Sequence, residues 1–139
     1  MSAVLVTGGA GYVGSHAVMA LAAAGYDVVI YDDLSAGHAE VADVLSAAFP
    51  SRSIRLVRGD IGDAAAIARA LRDAAAEAVF HFAAKLSVGA SVREPIKYYR
   101  TNVIGTLTVL AAMIEARVTR FVFSSTAATF GEPLRTPID

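Results

Sequence analysis

The sequence predicts an α/β fold, in which parallel strands form one central sheet with helices on both of its faces. Short apolar runs rich in β-branched residues alternate with alanine-rich stretches along the whole chain. The first apolar run ends in a glycine-rich turn, TGGAGYVGS, and a helical stretch follows it directly. Such alternation is typical of parallel sheets, because each strand returns through a helical crossover. A length of 139 residues indicates one domain.

Five runs have the composition of buried strands. The first, AVLVTG, is continuously apolar and closed by glycine, as expected for a parallel strand covered on both faces. The second and third runs end in aspartate, the fourth in small residues and the fifth in serines. The predicted strands are Ala3–Gly8, Tyr26–Asp32, Ser53–Asp60, Ala78–Ala84 and Arg120–Ser124.

Four helices are predicted between these strands. Gly25 is expected to end the first helix, Asp63 to cap the third, and Pro95 to lie in the first turn of the fourth. Right-handed crossovers then give a doubly wound Rossmann sheet with the strand order 3-2-1-4-5. The predicted helices are Tyr12–Ala24, His38–Phe49, Ala64–Ala75 and Pro95–Ala116.

The composition argues against several classes of function. The net charge of −1 and the lack of a Lys/Arg run give nucleic-acid binding no electrostatic support. There is no cysteine, which fits a reducing cytoplasm, and neither a signal peptide nor a membrane span of about 20 apolar residues is recognisable. His16, His38 and His81 have no matched acidic partners, so no metal site is predicted, and His81 is interpreted as a core histidine.

The first strand–helix turn has the pattern of a phosphate-binding loop. It contains G-x-G-x-x-G at Gly9, Gly11 and Gly14, and also G-x-x-G-x-x-G from Gly8. Glycines allow the tight turn, the approach of a pyrophosphate to the backbone, and close packing of the helix on the strand. An ordinary glycine turn is the alternative, but a strand precedes this turn and a helix follows it, which favours dinucleotide binding at the helix N-terminus.

Acidic residues at the ends of the second and third strands extend this interpretation. Asp32 lies about 20 residues beyond the glycine loop, where a carboxylate accepts hydrogen bonds from ribose hydroxyls and repels a 2′-phosphate. The sequence therefore predicts NAD rather than NADP. Asp60 is expected at the adenine edge. A solvated turn pair, Asp32 and Asp33, and a helix-capping role for Asp60 are the alternatives.

Several motifs together resemble one family. They are TGGAGYVGSH, YDDLS, GDIGD, HFAAKLSVGASV, TNVIGT and FSSTAATFGEP. The chain is similar to the N-terminal half of the UDP-glucose 4-epimerases, in the extended short-chain dehydrogenase/reductase superfamily. Related nucleotide-sugar 4,6-dehydratases have an Asp-Glu pair just after the threonine, where Ala127 and Ala128 stand here.

The resemblance implies a cofactor site and one catalytic residue. Thr126 matches the catalytic Ser/Thr that hydrogen-bonds the sugar 4-hydroxyl. Lys85 lies one position before the family's usual lysine, where this chain has Leu86, and Phe130 replaces a commoner tyrosine. The implied NAD-binding residues are Gly8, Gly11, Tyr12 and Val13 at the pyrophosphate, Asp32, Asp33, Leu34 and Ser35 at the adenosine ribose, Asp60 and Ile61 at adenine, Phe82, Ala83, Ala84 and Lys85 along the cofactor, Asn102 from the long helix, and Ser124 and Ser125 near the nicotinamide.

The family reaction also needs a Tyr-x-x-x-Lys base, and none of the five tyrosines begins that pattern. We therefore expect residues 1–139 to form an incomplete NAD-binding domain without the UDP-sugar domain, inactive by itself. Another NAD-dependent nucleotide-sugar reductase, decarboxylase or dehydratase, and a non-catalytic NAD-binding module, are the alternatives.

Two surfaces are expected to associate with other chains. The mean hydropathy of +0.53 is high, which suggests that apolar surface is meant to be covered. The edge of the fifth strand is one such surface, and the other is an apolar face of helix 95–116, which in the family packs on a second subunit. Several apolar residues of that helix follow helical spacing and are interpreted as mainly packing residues: Ile96, Tyr99, Val103, Leu107, Leu110 and Ile114.

Overall fold

A five-stranded parallel sheet forms the centre of the molecule. The computed structural model describes residues 2–131 and Arg135. All neighbouring strands are parallel, and their order is β3-β2-β1-β4-β5, so the predicted fold class and strand order are confirmed. The strands are β1 (Ala3–Thr7), β2 (Asp27–Asp32), β3 (Ile54–Arg58), β4 (Ala76–His81) and β5 (Arg120–Phe123).

Helices connect the strands and cover both faces of the sheet. A π-helical segment (Tyr99–Gly105) continues directly from α5 into α6, and a 3₁₀ turn (Ala127–Phe130) follows β5. The predicted long helix is therefore three consecutive segments with one interior stretch of wider turns. The α-helices are α1 (Tyr12–Ala23), α2 (Glu40–Ala48), α3 (Ala64–Asp73), α4 (Val88–Arg93), α5 (Pro95–Tyr98) and α6 (Thr106–Ala116).

The predicted helix signals act as expected. Gly25 follows α1 with a φ of +95° and donates its N–H to the Ala22 carbonyl at 3.0 Å. The Asp63 carboxylate accepts the Ala66 N–H at 2.9 Å and caps α3, and Pro95 is the first residue of α5. The second helix begins at Glu40 rather than at His38, and α4 was not predicted.

Two apolar layers flank the sheet. The first layer packs α1 and α2 on one face, through Val18, Ala22 and Leu45. The second packs α3 and α6 on the other, through residues such as Ile67 and Val109. Since all five strands are parallel, their carboxyl ends meet at one edge of the sheet.

The apolar stripe of the long helix lies on the surface. Ile96, Tyr99, Val103, Leu107 and Ile114 are exposed, while α6 turns Val109, Ala112 and Met113 into the core. Of the six residues interpreted as mainly packing residues, Leu110 packs against the core of the domain, and the other five form the expected exposed apolar face. None of the helices in the described part of the chain is long and apolar enough to span a membrane.

Candidate functional site

The candidate site lies at the carboxyl ends of β1 and β4. These two strands are neighbours, yet the chain runs outward from β1 to β2 and β3 on one side and from β4 to β5 on the other. Loops that leave adjacent strands in opposite directions open a crevice between them, and ligands of doubly wound sheets bind there. The residues predicted for the site follow the ends of the five strands or, for Asn102, lie on the helical crossover between β4 and β5.

The glycine loop has the geometry of a phosphate-binding turn. Gly8 adopts a φ of +68°, and its backbone approaches the β4 loop so closely that a Cβ would lie 2.6 Å from the Ala83 nitrogen. A Cβ on Gly14 would overlap the backbone of Gly8 and Gly9, so α1 packs directly on the loop. At Gly11 the nearest described atom to a Cβ would be the Gly8 carbonyl oxygen, 3.3 Å away, which leaves that side of the loop accessible.

The N-terminus of α1 offers free donors beside this loop. Gly11 precedes the helix in an extended conformation, and no side chain in the described part of the chain caps the first turn. Tyr12 and Val13 are exposed there, at 83% and 54%. Uncapped N–H groups at a helix N-terminus carry partial positive charge, so this turn can bind an anion such as a pyrophosphate.

Asp32 connects the glycine loop to the loop after β2. Its side chain is 8% exposed, and its Oδ2 accepts the Ala10 N–H at 3.0 Å while Oδ1 accepts the Leu34 N–H at 2.9 Å. Leu34 adopts a φ of +62°, which turns the chain back to the carboxylate. Each carboxylate oxygen has a second lone pair. Asp32 can therefore hold the loop and still accept a hydrogen bond from a ligand hydroxyl.

Asp33 and Ser35 form an exposed turn next to Asp32. The Ser35 N–H donates to Asp33 Oδ1 at 2.8 Å. Partial burial acts to raise the pKa of Asp33, but the hydrogen bonds from Ser35 and the positive charge of Lys85 together bring the pKa below its usual value. The cation of Lys85 is thus close enough to the β2 loop to act on Asp33 across the crevice.

The β3 loop presents Asp60 to solvent, but not the Ile61 side chain. Asp60 Oδ1 accepts the Gly62 N–H at 2.6 Å, and its carbonyl accepts the buried Tyr31 hydroxyl at 3.2 Å. Ile61 is 8% exposed and belongs to the core layer under α3 and α6. Its side chain therefore supports the loop from below, and its backbone is the part that faces the crevice edge.

The β4 loop is held by Asn102 of the π-helical segment. Asn102 Oδ1 accepts the Lys85 N–H at 2.8 Å, and Asn102 Nδ2 donates to the Lys85 carbonyl at 2.9 Å. Phe82 and Ala83 are half-buried at the start of this loop, and Ala84 is exposed. The paired bonds fix the backbone at Lys85, whose side chain is then free to act across the crevice.

The hydroxyls after β5 lie at the far end of the same edge. The Ser124 N–H donates to the His81 carbonyl at 3.1 Å, which extends the β4–β5 pairing, and Ser125 and Thr126 are exposed beyond it. Thr126 Oγ1 accepts the Ala128 N–H at 3.2 Å and begins the 3₁₀ turn. The Glu-Pro that ends the quoted motif lies outside the described residues.

A buried polar chain beneath the crevice was not foreseen. His81 Nδ1 lies 2.6 Å from Thr7 Oγ1, and His81 Nε2 lies 2.9 Å from Thr106 Oγ1. The interpretation of His81 as a satisfied core histidine is confirmed, since it is 2% exposed and both ring nitrogens have partners. Its partners are 74 and 25 residues away in the sequence, and no local pattern joins them.

Two surface cavities lie away from the crevice. The first, of about 500 Å³, is lined by Arg93, Glu94, Pro95, Ile96, Lys97, Arg100 and Thr101. The second, of about 330 Å³, lies between α1 and α2 beside His16 and His38. Neither contains a residue predicted to bind the cofactor. No cluster of three or more metal-ligating side chains occurs within the described residues.

Comparison with known proteins assigns the family. The model of the GDP-mannose 4,6 dehydratase family matches residues 5–139. The chain belongs to this family. It is 49% identical over 135 residues to the UDP-glucose 4-epimerase of Azospirillum brasilense, and 46% identical over 136 residues to that of Rhizobium meliloti. These matches cover 97% and 98% of this chain but 36% and 39% of the relatives.

Solved structures of family members agree in fold. A UDP-glucose 4-epimerase from Stenotrophomonas maltophila with bound NAD and formylated UDP-arabinopyranose is 39% identical, with a TM-score of 0.93 over 99% of this chain and 41% of that protein. The epimerase from Brucella ovis, in complex with NAD, is 44% identical, with a TM-score of 0.87 over 99% of this chain and 39% of that protein. The chain thus spans well under half the length of the relatives it matches.

Proposed function

We propose that this chain forms the NAD-binding domain of a UDP-glucose 4-epimerase, an enzyme that interconverts UDP-glucose and UDP-galactose. The observation that carries the proposal is the juxtaposition of the uncapped α1 N-terminus with the buried Asp32 carboxylate, both at the carboxyl edge of the sheet where β1 and β2 end. Free N–H donors fit a pyrophosphate, and a carboxylate with spare lone pairs fits ribose hydroxyls. Relatives that are 39% and 44% identical carry NAD in solved structures, which supports the same assignment.

Different residues of the crevice would bind different parts of the cofactor. Gly8, Gly11, Tyr12 and Val13 hold the pyrophosphate through backbone donors. Asp32 accepts hydrogen bonds from the adenosine ribose, with Asp33, Leu34 and Ser35 shaping the turn beside it. Asp60 and the backbone of Ile61 border adenine. The further residues proposed to border the dinucleotide are Phe82, Ala83, Ala84, Lys85, Asn102, Ser124 and Ser125.

Bound NAD supplies the acceptor and donor of a hydride at C4 of the sugar. Thr126 is proposed to hydrogen-bond the sugar 4-hydroxyl. Its hydroxyl already accepts the Ala128 N–H and retains its own hydrogen for donation. The exposed position of Thr126 after β5 leaves it accessible to a substrate at that end of the crevice.

The 139-residue polypeptide by itself is proposed to have negligible turnover. It contains no Tyr-x-x-x-Lys sequence to serve as general base, and a missing base lowers a rate by typically about 10²–10⁴-fold. A 4,6-dehydratase is a second candidate because the family model carries that description. Ala127 and Ala128 disfavour it, since neither side chain can act as the acid or base.

Calorimetric titration tests the cofactor assignment. The wild-type chain is expected to bind NAD more tightly than NADP, because Asp32 repels a 2′-phosphate. Asp32→Ala should abolish the preference and weaken NAD binding. Asp43→Ala, which removes an exposed carboxylate of α2, is the control and should bind as the wild type. Absence of NAD binding by the wild type, or equal affinity for both nucleotides, would overturn the assignment.

Conversion of UDP-galactose tests the activity. The isolated 139 residues should show no conversion above background, and a longer natural form that includes a Tyr-x-x-x-Lys motif should show it. Substituting Thr126→Ala in that longer form is expected to lower kcat by roughly tenfold, because one hydrogen bond to the sugar 4-hydroxyl is lost. Thr126→Ser is the matched control. Normal conversion by the 139 residues would contradict the proposal of inactivity.

The same chain is proposed to self-associate. The exposed apolar stripe of the long helix and the edge of β5 are the two candidate surfaces, and in the described residues β5 pairs with β4 alone. Sedimentation velocity should show concentration-dependent dimers. Leu107→Glu separates them if the helix forms the interface, whereas Val122→Pro does so if the strand edge forms it. Met19→Glu, on the opposite face of the sheet, is the control, and a monomer at high concentration would refute association.

A further inference from the structure

We propose that His81, as a neutral imidazole with its proton on Nε2, is a positioning residue that ties the ends of β1 and β4 to the long helix. The inference deepens the proposed function and rests on it where it speaks of a cofactor cleft. His81 itself is buried at the end of β4, where its side chain contacts residues of β1, β5 and α6.

The direction of each hydrogen bond fixes the tautomer. Thr106 Oγ1 donates to the Asn102 carbonyl at 2.7 Å, and a hydroxyl has one hydrogen. Thr106 must therefore accept at its contact with His81, so the proton of the ring is on Nε2. The unprotonated Nδ1 then accepts the hydroxyl hydrogen of Thr7, whose oxygen accepts the Ala83 N–H at 3.4 Å.

These four bonds run in one direction through three elements. They lead from Ala83 on the β4 loop to Thr7 on β1, back to His81 on β4, and on to Thr106 and Asn102 of the long helix. No buried side-chain nitrogen or oxygen in the described part of the chain lacks a partner. The Ala83 N–H can only donate and the Asn102 carbonyl can only accept. With the opposite tautomer of His81, Thr106 would donate to Nε2, and its oxygen would face the Asn102 carbonyl with no hydrogen between them, so the chain has one consistent arrangement.

The surroundings of His81 favour the neutral ring. Phe121 and Phe123 of β5 lie on it, with ring centroids 5.9 and 5.8 Å away, and β1 contributes Thr7. The charges on the flanking elements are engaged elsewhere: Arg72 of α3 pairs with Glu115 of α6, and Arg120 of β5 pairs with Glu77 of β4.

Helix α3 carries two further charged residues, Arg69 and Asp73. The positive charge of Arg69 acts to lower the pKa of Tyr31, and Asp73 is the last residue of the helix. Desolvation accordingly lowers the pKa of His81 to about 4, with no compensating anion.

The chain of bonds ends on the residue that holds the β4 loop. Asn102 accepts from Thr106 with its backbone and holds both backbone groups of Lys85 with its side chain. Ala83, at the other end, contacts Gly8 of the glycine loop. Fixing His81 between these ends thus sets the glycine loop and the β4 loop relative to one another, on both sides of the cleft.

The test uses the full natural chain that contains these residues, labelled with ¹⁵N-histidine. Long-range ¹H–¹⁵N correlation spectra distinguish the two neutral tautomers and the cation, and His81→Gln assigns the signal. At pH 5.5 His81 should show the neutral Nε2–H pattern. Thr106→Val should disturb that pattern, and Thr106→Ser should restore it.

Thr108→Val is the matched control. Thr108 Oγ1 donates to the Ile104 carbonyl at 2.9 Å, as Thr106 does to Asn102, but contacts no histidine in the described structure. Amide hydrogen exchange gives the positional readout. In Thr106→Val the Lys85 amide should exchange roughly tenfold faster or more relative to the Val29 amide in the sheet centre, the effect of a lost buried hydrogen bond. Thr108→Val should leave that ratio unchanged.

Each result decides the proposal without reference to enzyme activity. A charged His81 at pH 5.5, a proton on Nδ1, or equal acceleration of Lys85 and Val29 in Thr106→Val would overturn it. Failure of the wild type to bind NAD would instead overturn the proposed function, and the spectra and exchange ratios would still show whether His81 positions the two loops.

Discussion

The two halves of the sheet differ in how completely they are enclosed. Every residue of β1 is buried, and β2 is buried from Val28 to Asp32. In β5, by contrast, three of the four residues are exposed and the fourth, Phe121, is half-buried. The strands next to the glycine loop and Asp32 are therefore enclosed by the described residues, whereas the strand that carries the hydroxyls is largely exposed.

This difference indicates that the two ends of the proposed dinucleotide site depend on different kinds of contact. The end predicted for adenosine and pyrophosphate depends mainly on the backbone geometry of the glycine loop and on the buried carboxylate of Asp32. The end predicted for nicotinamide and sugar depends on exposed side chains such as Ser125 and Thr126. Substitutions should accordingly be costly in the first half and mild near β5.

The largest effect is expected from Gly14→Ala. The added Cβ would overlap the backbone of Gly8 and lie 2.8 Å from the Gly9 Cα, and neither can move without shifting β1 or α1. We expect a loss of about 3 kcal/mol or more in the free energy of unfolding. Urea denaturation measures it. Gly89→Ala in α4 is the control, because its Cβ meets nothing closer than Arg93 Nη1 at 3.7 Å. Equal free energies of unfolding for Gly14→Ala and Gly89→Ala would contradict the proposed difference between the two halves of the sheet.

Acid should weaken the fold through the histidine at the boundary of the two halves. The pKa of His81 is lowered from 6.5 to about 4 by desolvation. The unfolded chain therefore binds more protons between these values, and stability falls as pH decreases from 6.5 to 4. The contribution of this group reaches about 3 kcal/mol at most. Unfolding midpoints at several pH values should show this slope in the wild type and a reduced slope in His81→Gln, with exposed His16→Gln as control.

An intermediate effect is expected from Asp32→Asn. The amide offers one acceptor oxygen to two backbone N–H groups, those of Ala10 and Leu34, and turns a donor toward one of them. A buried donor left without a partner costs about 1–3 kcal/mol. Asp33→Asn should lower the free energy of unfolding by less. The Asp33 carboxylate is exposed, and the Ser35 N–H is the one backbone donor from another described residue that it accepts. Thermal unfolding of both variants gives the comparison, and similar losses would contradict it.

The smallest effect is expected at β5. Arg120 Nη1 lies 3.3 Å from Glu77 Oε2, and the two side chains are 74% and 50% exposed. Exposed ion pairs contribute roughly 0–1 kcal/mol and are screened by salt. Glu77→Gln should therefore change the unfolding free energy by less than about 1 kcal/mol. A larger loss would show that β5 is held more firmly than its exposure indicates.

The sequence predicts the fold well because the relevant signals are local. Apolar runs mark the strands, residues such as Asp63 and Gly25 mark helix ends, and the handedness of crossovers then leaves the observed strand order. The helix α4 was missed although Ser87 caps it by accepting the Ala90 N–H at 3.3 Å. Gly89 and two valines lower the helix propensity of that stretch and conceal the signal.

The site is predictable only in part, for a physical reason. Asp32 follows the glycine loop at a regular distance, so its position can be read from the sequence. Asn102 stands in a helix, where a polar residue is ordinarily interpreted as a surface amide, and its role depends on Lys85, 17 residues earlier. The bonds of His81 join residues from three elements, and such contacts become visible when the elements are packed.

The contacts that Asn102 and Thr106 make fix the number of residues between them in the π-helical segment. Residues are about 100° apart around an α-helix and less than that around a π-helix, whose hydrogen bonds span five residues. Deleting one residue between Asn102 and Thr106 would therefore change the angle between their side chains. Either Lys85 or His81 would then lose its hydrogen bonds, whichever end of the helix kept its place. The exposed stripe from Ile96 to Ile114 would be divided at the same point. Substitutions in this segment are thus more readily tolerated than insertions or deletions, and the spacing of its residues carries as much information as their identity.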